Sequence, residues 1–176
     1  MQATTKQKVV YVLIISFVIA LFLRIFIIEG FLVSGDSMDP TIHNGEFVFI
    51  NKIAYWTNGP ARGDIVVAIP RIYPNKVLKR IIGLPGERFQ IENNRVVIKD
   101  GRLDPGIILF EPYLESTSTP EVGTTLIQLD PQEYFAMGDN RLVSIDSREL
   151  GPIDKWEIKG KVIGVLKLPS LKYVGF

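Results

Sequence analysis

Apolar residues fall into two regimes along this chain. Val9 to Ile28 reads VVYVLIISFVIALFLRIFII, twenty residues broken by one charge, Arg24. At about 1.5 Å of rise per residue, a helix of that length reaches roughly 30 Å, the thickness of one bilayer core. A cleavable leader has a shorter apolar run followed by small residues. Here the bulky Arg24-Ile25-Phe26-Ile27-Ile28-Glu29 follows, so the run predicts an uncleaved transmembrane anchor. No periodic polar face interrupts it, as one would on a buried helix of a soluble core. An Arg at the centre of a bilayer costs about 2.5–3.5 kcal/mol, but near the outer end it snorkels to water at lower cost. Lys6 and Lys8 precede the run and favour a cytoplasmic N-terminus. The remainder then lies on the trans side of a cell membrane crossed once.

From Glu29 onward the period shortens to that of strands. Phe47–Ile50, Asp64–Ile69 and Val77–Ile82 are short runs rich in β-branched and aromatic residues, punctuated by Gly and Pro. Phe89–Glu92, the Asn93-Asn94 turn and Arg95–Ile98 predict a hairpin. Leu126–Leu129, Tyr134–Met137 and Lys161–Leu168 supply later strands, and no helical stripe follows the anchor. The fold class expected is mostly β, a curved antiparallel sheet. Between positions 93 and 132 the chain turns polar and rich in Pro, Gly, Ser and Thr, which reads as a small β insertion. The expected division is a tail at 1–8, an anchor at 9–28, a main β domain at 29–92 and 133–176, and the insertion at 93–132.

Composition narrows the chemistry. The absence of cysteine removes disulfides, thiolate nucleophiles and Cys-ligated zinc. A single histidine makes a His-rich metal site implausible, and a Ser–His–Asp triad would rest on His43 alone. A net charge of +1 gives no reason to expect a nucleic-acid partner. No metal or cofactor is expected.

Three segments carry more polar chemistry than packing needs. Ser34-Gly35-Asp36-Ser37-Met38-Asp39-Pro40-Thr41 could fix Ser37 on a sharp, rigid loop, or be a plain turn. In Lys76–Gly86, strand alternation sets Lys79 between Val77 and Ile81 on one face, an apolar setting for an ammonium group. An edge lysine reaching water fits the same pattern. Gly138 to Arg148 packs two Asp, two Ser, two Arg and an Asn into eleven residues. They suit a solvated loop or a network of forks and carboxylates bracing a site.

Taken together, these segments resemble the type I signal peptidases. Ser37-Met38-x-Pro40-Thr41 is similar to that family's nucleophile box. Arg62-Gly63-Asp64-Ile65-Val66-Val67 is similar to its Gly-Asp strand box. Lys79-Arg80-x-Ile82-Gly83-Leu84-Pro85-Gly86 resembles its lysine box, and Gly138-Asp139-Asn140-Arg141-x-x-Ser144-x-Asp146-Ser147-Arg148 its C-terminal box. The order of the boxes and the preceding anchor also agree. The resemblance implies a membrane-bound serine endopeptidase that removes signal peptides from exported preproteins through an acyl-enzyme. It implies Ser37 as nucleophile, with its N–H toward the oxyanion, and neutral Lys79 as general base. Ser144 would bond the lysine amine, and Asp146, Arg148 and Arg80 would form ion-pair support. Some members carry Ser where this chain has Gly35, which lacks a hydroxyl for the oxyanion; others have Gly. Substrates would carry small residues at the first and third positions before the cut. They would bind as an added strand, with Val33, Met38, Ile42, Val77 and Leu78 as candidate pocket residues. Phe31 and Leu32 would hold the catalytic face against the lipid bilayer.

The alternatives are a self-cleaving Ser–Lys repressor-type protease, which would need an N-terminal helix-turn-helix, and a non-catalytic membrane-tethered relative. An ordinary lysine, with a pKa of about 10.4, is neutral in only roughly one molecule in 2,500 at pH 7. The site must therefore depress that pKa by burial. His43, in a polar turn six residues beyond Ser37, reads as a solvated histidine rather than a rival base. The tripeptide Arg62-Gly63-Asp64 reads as a turn opening a strand.

Overall fold

The computed structural model describes residues 5–99, 105–114, 119–120, 126–168 and 170–176. Helix α1 (Thr5–Phe22) runs on through a π-helical turn at Leu23–Ile27. None of its side chains is buried against the rest of the chain. Among the described residues this is the one helix long and apolar enough to cross a membrane. Its apolar surface has no protein partner, as a lipid-embedded segment requires. The described part of the helix already includes the four residues before Val9. Its end falls one residue short of the expected limit, because Ile28 pairs with Asn51 as a strand.

That strand, β1 (Ile28–Leu32), opens the main sheet. The others are β2 (Phe47–Asn51), β3 (Ile65–Ala68), β4 (Val77–Gly83), β9 (Glu133–Met137), β10 (Ile153–Asp154), β11 (Ile158–Lys167) and β12 (Lys172–Gly175). The order is β1-β2-β11-β3-β4-β9-β10, with every pair antiparallel. The ten-residue β11 is the spine. Along one edge it pairs with β2, and along the other it pairs first with β3 and then with β12. Register shifts between Ile158 and Gly160 and between Val162 and Gly164 bend it. The sheet therefore curls. Both faces of β3 are covered, with Ile65 and Val67 buried in one cluster and Val66 and Ala68 in another.

The small sheet contains β5 (Arg88–Glu92), β6 (Arg95–Lys99), β7 (Ile107–Ile108) and β8 (Ile127–Gln128), ordered β7-β6-β5-β8. The Asn93-Asn94 hairpin forms as read, with both residues at positive φ (49° and 60°). β5 belongs to this sheet, so the small sheet starts before position 93. Its inner face, Phe89, Ile91 and Val96, packs on Ile82, Phe135 and Met137, with Phe89 and Phe135 edge-to-face at 4.3 Å. The one α-helix after the anchor among the described residues is the single turn α2 (Ser147–Leu150), which Asp146 caps by accepting the Arg148 N–H; a 3-10 turn follows at Lys155–Glu157.

Candidate active site

Ser37 sits in a run of turns between β1 and β2. Gly35, at φ +102°, turns the chain ahead of it, a conformation that L side chains rarely adopt. Space is not the constraint there, since a Cβ on Gly35 would meet nothing within 4 Å. The Ile42 N–H to Met38 carbonyl bond, at 3.0 Å, closes the following turn. Met38 and Ile42 were expected as pocket residues, but they are 1% and 0% exposed and lie in the core beneath the loop. Burying them fixes the loop that carries Ser37.

Lys79 comes from the middle of β4, between Val77 and Ile81, which both pack into the Val66–Ala136 cluster. β9 last pairs with β4 at Met137 and Arg80. Beyond that point the chain leaves as the 138–146 loop, which opens the β4 edge at Lys79. The Lys79 Nζ lies 2.9 Å from the Ser37 Oγ. Lys79 is 5% exposed, and burial lowers its pKa from 10.5 to about 8. Asp146 and Asp139 pull it back upward, and Arg148 pushes it down.

Around this pair the ionic groups separate into two units rather than the one expected. The Arg80 guanidinium forks onto Asp139 (2.8 and 2.6 Å) and donates to the Gly63 carbonyl at 2.8 Å. Thr41 donates to the same Asp139 carboxylate at 2.5 Å, and the Tyr113 ring covers the guanidinium at 3.9 Å. Arg148 forks onto Asp146 instead, both contacts at 2.9 Å, and Asp146 also accepts the Gly138 N–H at 3.0 Å. Burial alone would raise the Asp146 pKa, but the Arg148 fork and this amide outweigh it and hold it low. Arg80 thus does not join Asp146 and Arg148.

Ser144 was expected to bond the lysine amine. Its Oγ is buried, faces the Asp146 carboxylate, whose pKa it helps to hold low, and makes no bond to the Lys79 amine. It packs instead on Gly138. A Cβ there would sit 2.3 Å from both the Ser144 Oγ and the Ser37 carbonyl oxygen. The Asn140 N–H holds that same carbonyl at 3.0 Å. Asp139, Thr41 and Asn140 stand inside the quoted boxes but were given no role. Tyr113 and Glu111, which braces the buried Arg141, lie in the insertion, where no pattern marked them.

A cleft of about 980 Å³ opens over Ser37 and Lys79, between residues 31–37 and 75–79. Val33, Val77 and Leu78 line it, with Phe31, Leu32, Gly35, Val143 and Ile145. Val33 uses its N–H on Glu46 (2.8 Å) and its carbonyl on Gly45 (2.9 Å). By strand alternation the backbone groups of Leu32 and Ser34 then face the open edge. His43 lies outside the cleft, half-exposed and paired with Asp39 at 2.5 Å. The described residues hold no cluster suited to a metal ion.

The family described as "Signal peptidase, peptidase S26" matches residues 6–166. This chain belongs to that family. Its relatives include signal peptidase I U of Bacillus subtilis (strain 168), 36% identical over 81% of this chain and 78% of the relative. Signal peptidase I of Bacillus licheniformis is 38% identical over 84% and 81%. A signal peptidase I of Bacillus amyloliquefaciens is 34% identical over 90% and 89%. A crystal structure of a signal peptidase I from Enterococcus faecalis V583 is 29% identical, with a TM-score of 0.47, and covers 58% of this chain and 95% of that one. As a member of the peptidase S26 family with an unpartnered apolar helix, the chain is a membrane-anchored peptidase.

Proposed function

We propose that this chain is the endopeptidase that cuts N-terminal signal peptides from exported preproteins, with Ser37 as nucleophile and neutral Lys79 as general base. The observation that carries the reading is the 2.9 Å approach of a buried amine to a hydroxyl. With a pKa of about 8, roughly one amine in ten is neutral at pH 7, a cost of about 1.4 kcal/mol. An unperturbed lysine would cost over three times as much, close to the whole benefit of a general base. The amine takes the Ser37 proton as Oγ attacks the scissile carbonyl. It then returns that proton to the leaving amine, and the acyl-enzyme forms. Water deprotonated by the same amine releases the signal peptide. The Ser37 N–H is the oxyanion donor, and Gly35 leaves any second donor to backbone or water.

The substrate enters as an extended strand between the edges at 31–34 and 77–79, with small side chains beside Val33, Val77 and Leu78. The N-terminus lies in the cytoplasm and the catalytic domain on the trans side, with Phe31 and Leu32 toward the bilayer. Cleavage of a preprotein in detergent, comparing wild type with Ser37→Ala, tests the reading. Wild type should cut and the variant should be silent; equal cutting by both would remove Ser37 from the chemistry.

A further inference from the structure

The turn at 111–114 belongs to the insertion, yet two of its polar side chains end on arginines beside the Ser37 loop. The Leu109 N–H bonds the Val96 carbonyl at 2.8 Å, and the Leu114 N–H bonds the Glu111 carbonyl at 3.2 Å. The turn is thus fastened to β6 and closed on itself. Glu111 forks onto Arg141, and the two side chains are only 7% and 2% exposed. Tyr113 donates its hydroxyl to the same carboxylate at 2.7 Å and lays its ring on the Arg80 guanidinium. Burial, reinforced by Glu111, pushes the Tyr113 phenol pKa up, so the hydroxyl stays a donor. The Thr119 hydroxyl accepts a further Arg141 N–H, and the Thr119 N–H bonds the Asn94 carbonyl at 2.7 Å in the β5–β6 hairpin.

The two guanidiniums carry this support to the nucleophile loop. Arg141 donates through Nε to the Gly138 carbonyl at 3.0 Å, and the Asn140 N–H holds the Ser37 carbonyl at 3.0 Å. Arg80 forks onto Asp139, which accepts the Thr41 hydroxyl. One arm therefore ends on the carbonyl of the nucleophile, and the other ends at Thr41 on the same loop. Between β1 and β2, residues 33–46 join no strand or helix. Their position depends on such ties and on the buried Met38 and Ile42. Buried ion pairs contribute little net stability compared with apolar side chains of similar volume. Two of them converging on one loop suit the placing of a reactive group better than the holding of a core.

We propose that Glu111 and Tyr113 are positioning residues of the peptidase. They set Arg141 and Arg80, which in turn fix the Ser37 carbonyl and Thr41, and with them the line of attack of the Ser37 Oγ. A misplacement of about 1 Å at a reacting group can cost about a hundredfold in rate. The insertion thus takes part in catalysis from outside the cleft. The proposal rests on Ser37 as nucleophile. The substrate walls at 31–34 and 75–79 come from other elements, so the brace bears on kcat and leaves KM alone.

The full chain in detergent is assayed on a preprotein, and amide exchange is followed by mass spectrometry over 138–146, β2 and β11. Glu111→Ala would leave Arg141 buried without its anion and disturb folding, so Tyr113 carries the test. Tyr113→Leu removes the ring from Arg80 and the hydroxyl from Glu111. It should lower kcat about tenfold with KM within about twofold of wild type. Exchange should rise over 138–146 while β2 and β11 stay protected. Tyr113→Phe keeps the ring and should hold kcat within about twofold of wild type. Val96→Ala is the control, since it thins the core of the same small sheet and touches neither arginine. It should lower the thermal midpoint and leave kcat unchanged. Wild-type kcat in Tyr113→Leu would overturn the proposal, and so would exchange that rises evenly along the chain. A wild type that fails to cut would overturn the Ser37 reading, whereas a rise in exchange confined to 138–146 would still support the brace.

Discussion

Lys79 shows how a functional demand works against stability. A pKa lowered from 10.5 to about 8 by burial means the native state carries a cost of about 3 kcal/mol when the amine is charged. Lys79→Met keeps the length and removes the charge, so it should abolish cleavage and stabilise the fold at pH 7 by on the order of 1–3 kcal/mol. Denaturant unfolding checks this, and a variant less stable than wild type would contradict the buried-amine account. Asp139 is the converse case. Asp139→Asn would turn an amide toward a buried guanidinium that now forks onto two carboxylate oxygens. It should lose about 3 kcal/mol, as broken buried pairs do, which a fall in thermal midpoint would report. Ser37 and Lys79 were legible because their boxes were intact. The partner of Arg80 was not. Asp139 and Asp146 stand seven positions apart in one loop. Only the register of Met137 against Arg80 puts Asp139 within reach, while Asp146 turns back to cap α2.

At the scale of elements, alternation was the reliable guide and loop burial was not. The hairpin at Asn93-Asn94 was readable because two adjacent residues must both adopt positive φ, and Asn tolerates that better than other side chains. Glycine fits the second position better still. Asn94→Gly should raise stability by about 0.5 kcal/mol, relief in the native turn being partly offset by a freer unfolded chain. A shift in the urea midpoint measures it, and a clear loss of stability would count against the turn geometry. Met38 and Ile42 escaped the reading for the opposite reason. They flank the nucleophile in a polar stretch with no period, so nothing in the sequence separates a side chain lining a cleft from one pinning the loop below it. The bends in β11 were equally hidden, since each register shift depends on two partner strands far away in sequence.

For the molecule as a whole, the site and the fold respond to pH in different windows. Asp64 and Asp146 have pKa values held below the usual carboxylate range, although burial opposes it, by Lys161 and by Arg148 respectively. A depressed carboxylate contributes stability above its unfolded pKa and loses it only as pH falls through the native value, so this part of the fold is secure until below about pH 4. Lys79 behaves otherwise. Its folded pKa is about 8, so the neutral base is nearly complete above pH 9 and falls about tenfold per unit below 8. The burial cost is full below 8 and is relieved between 8 and 10.5, so Lys79 itself causes no unfolding on the acid side. Between about pH 5 and 7 the protein should therefore be folded and progressively idle. We expect kcat/KM for a preprotein to rise about tenfold per pH unit up to about 8 and then level off. Tryptophan emission and circular dichroism should stay constant over that range. If activity and the folded signal instead fell together between pH 8 and 5, the loss would be conformational, and the amine of residue 79 would not be the group that controls the rate.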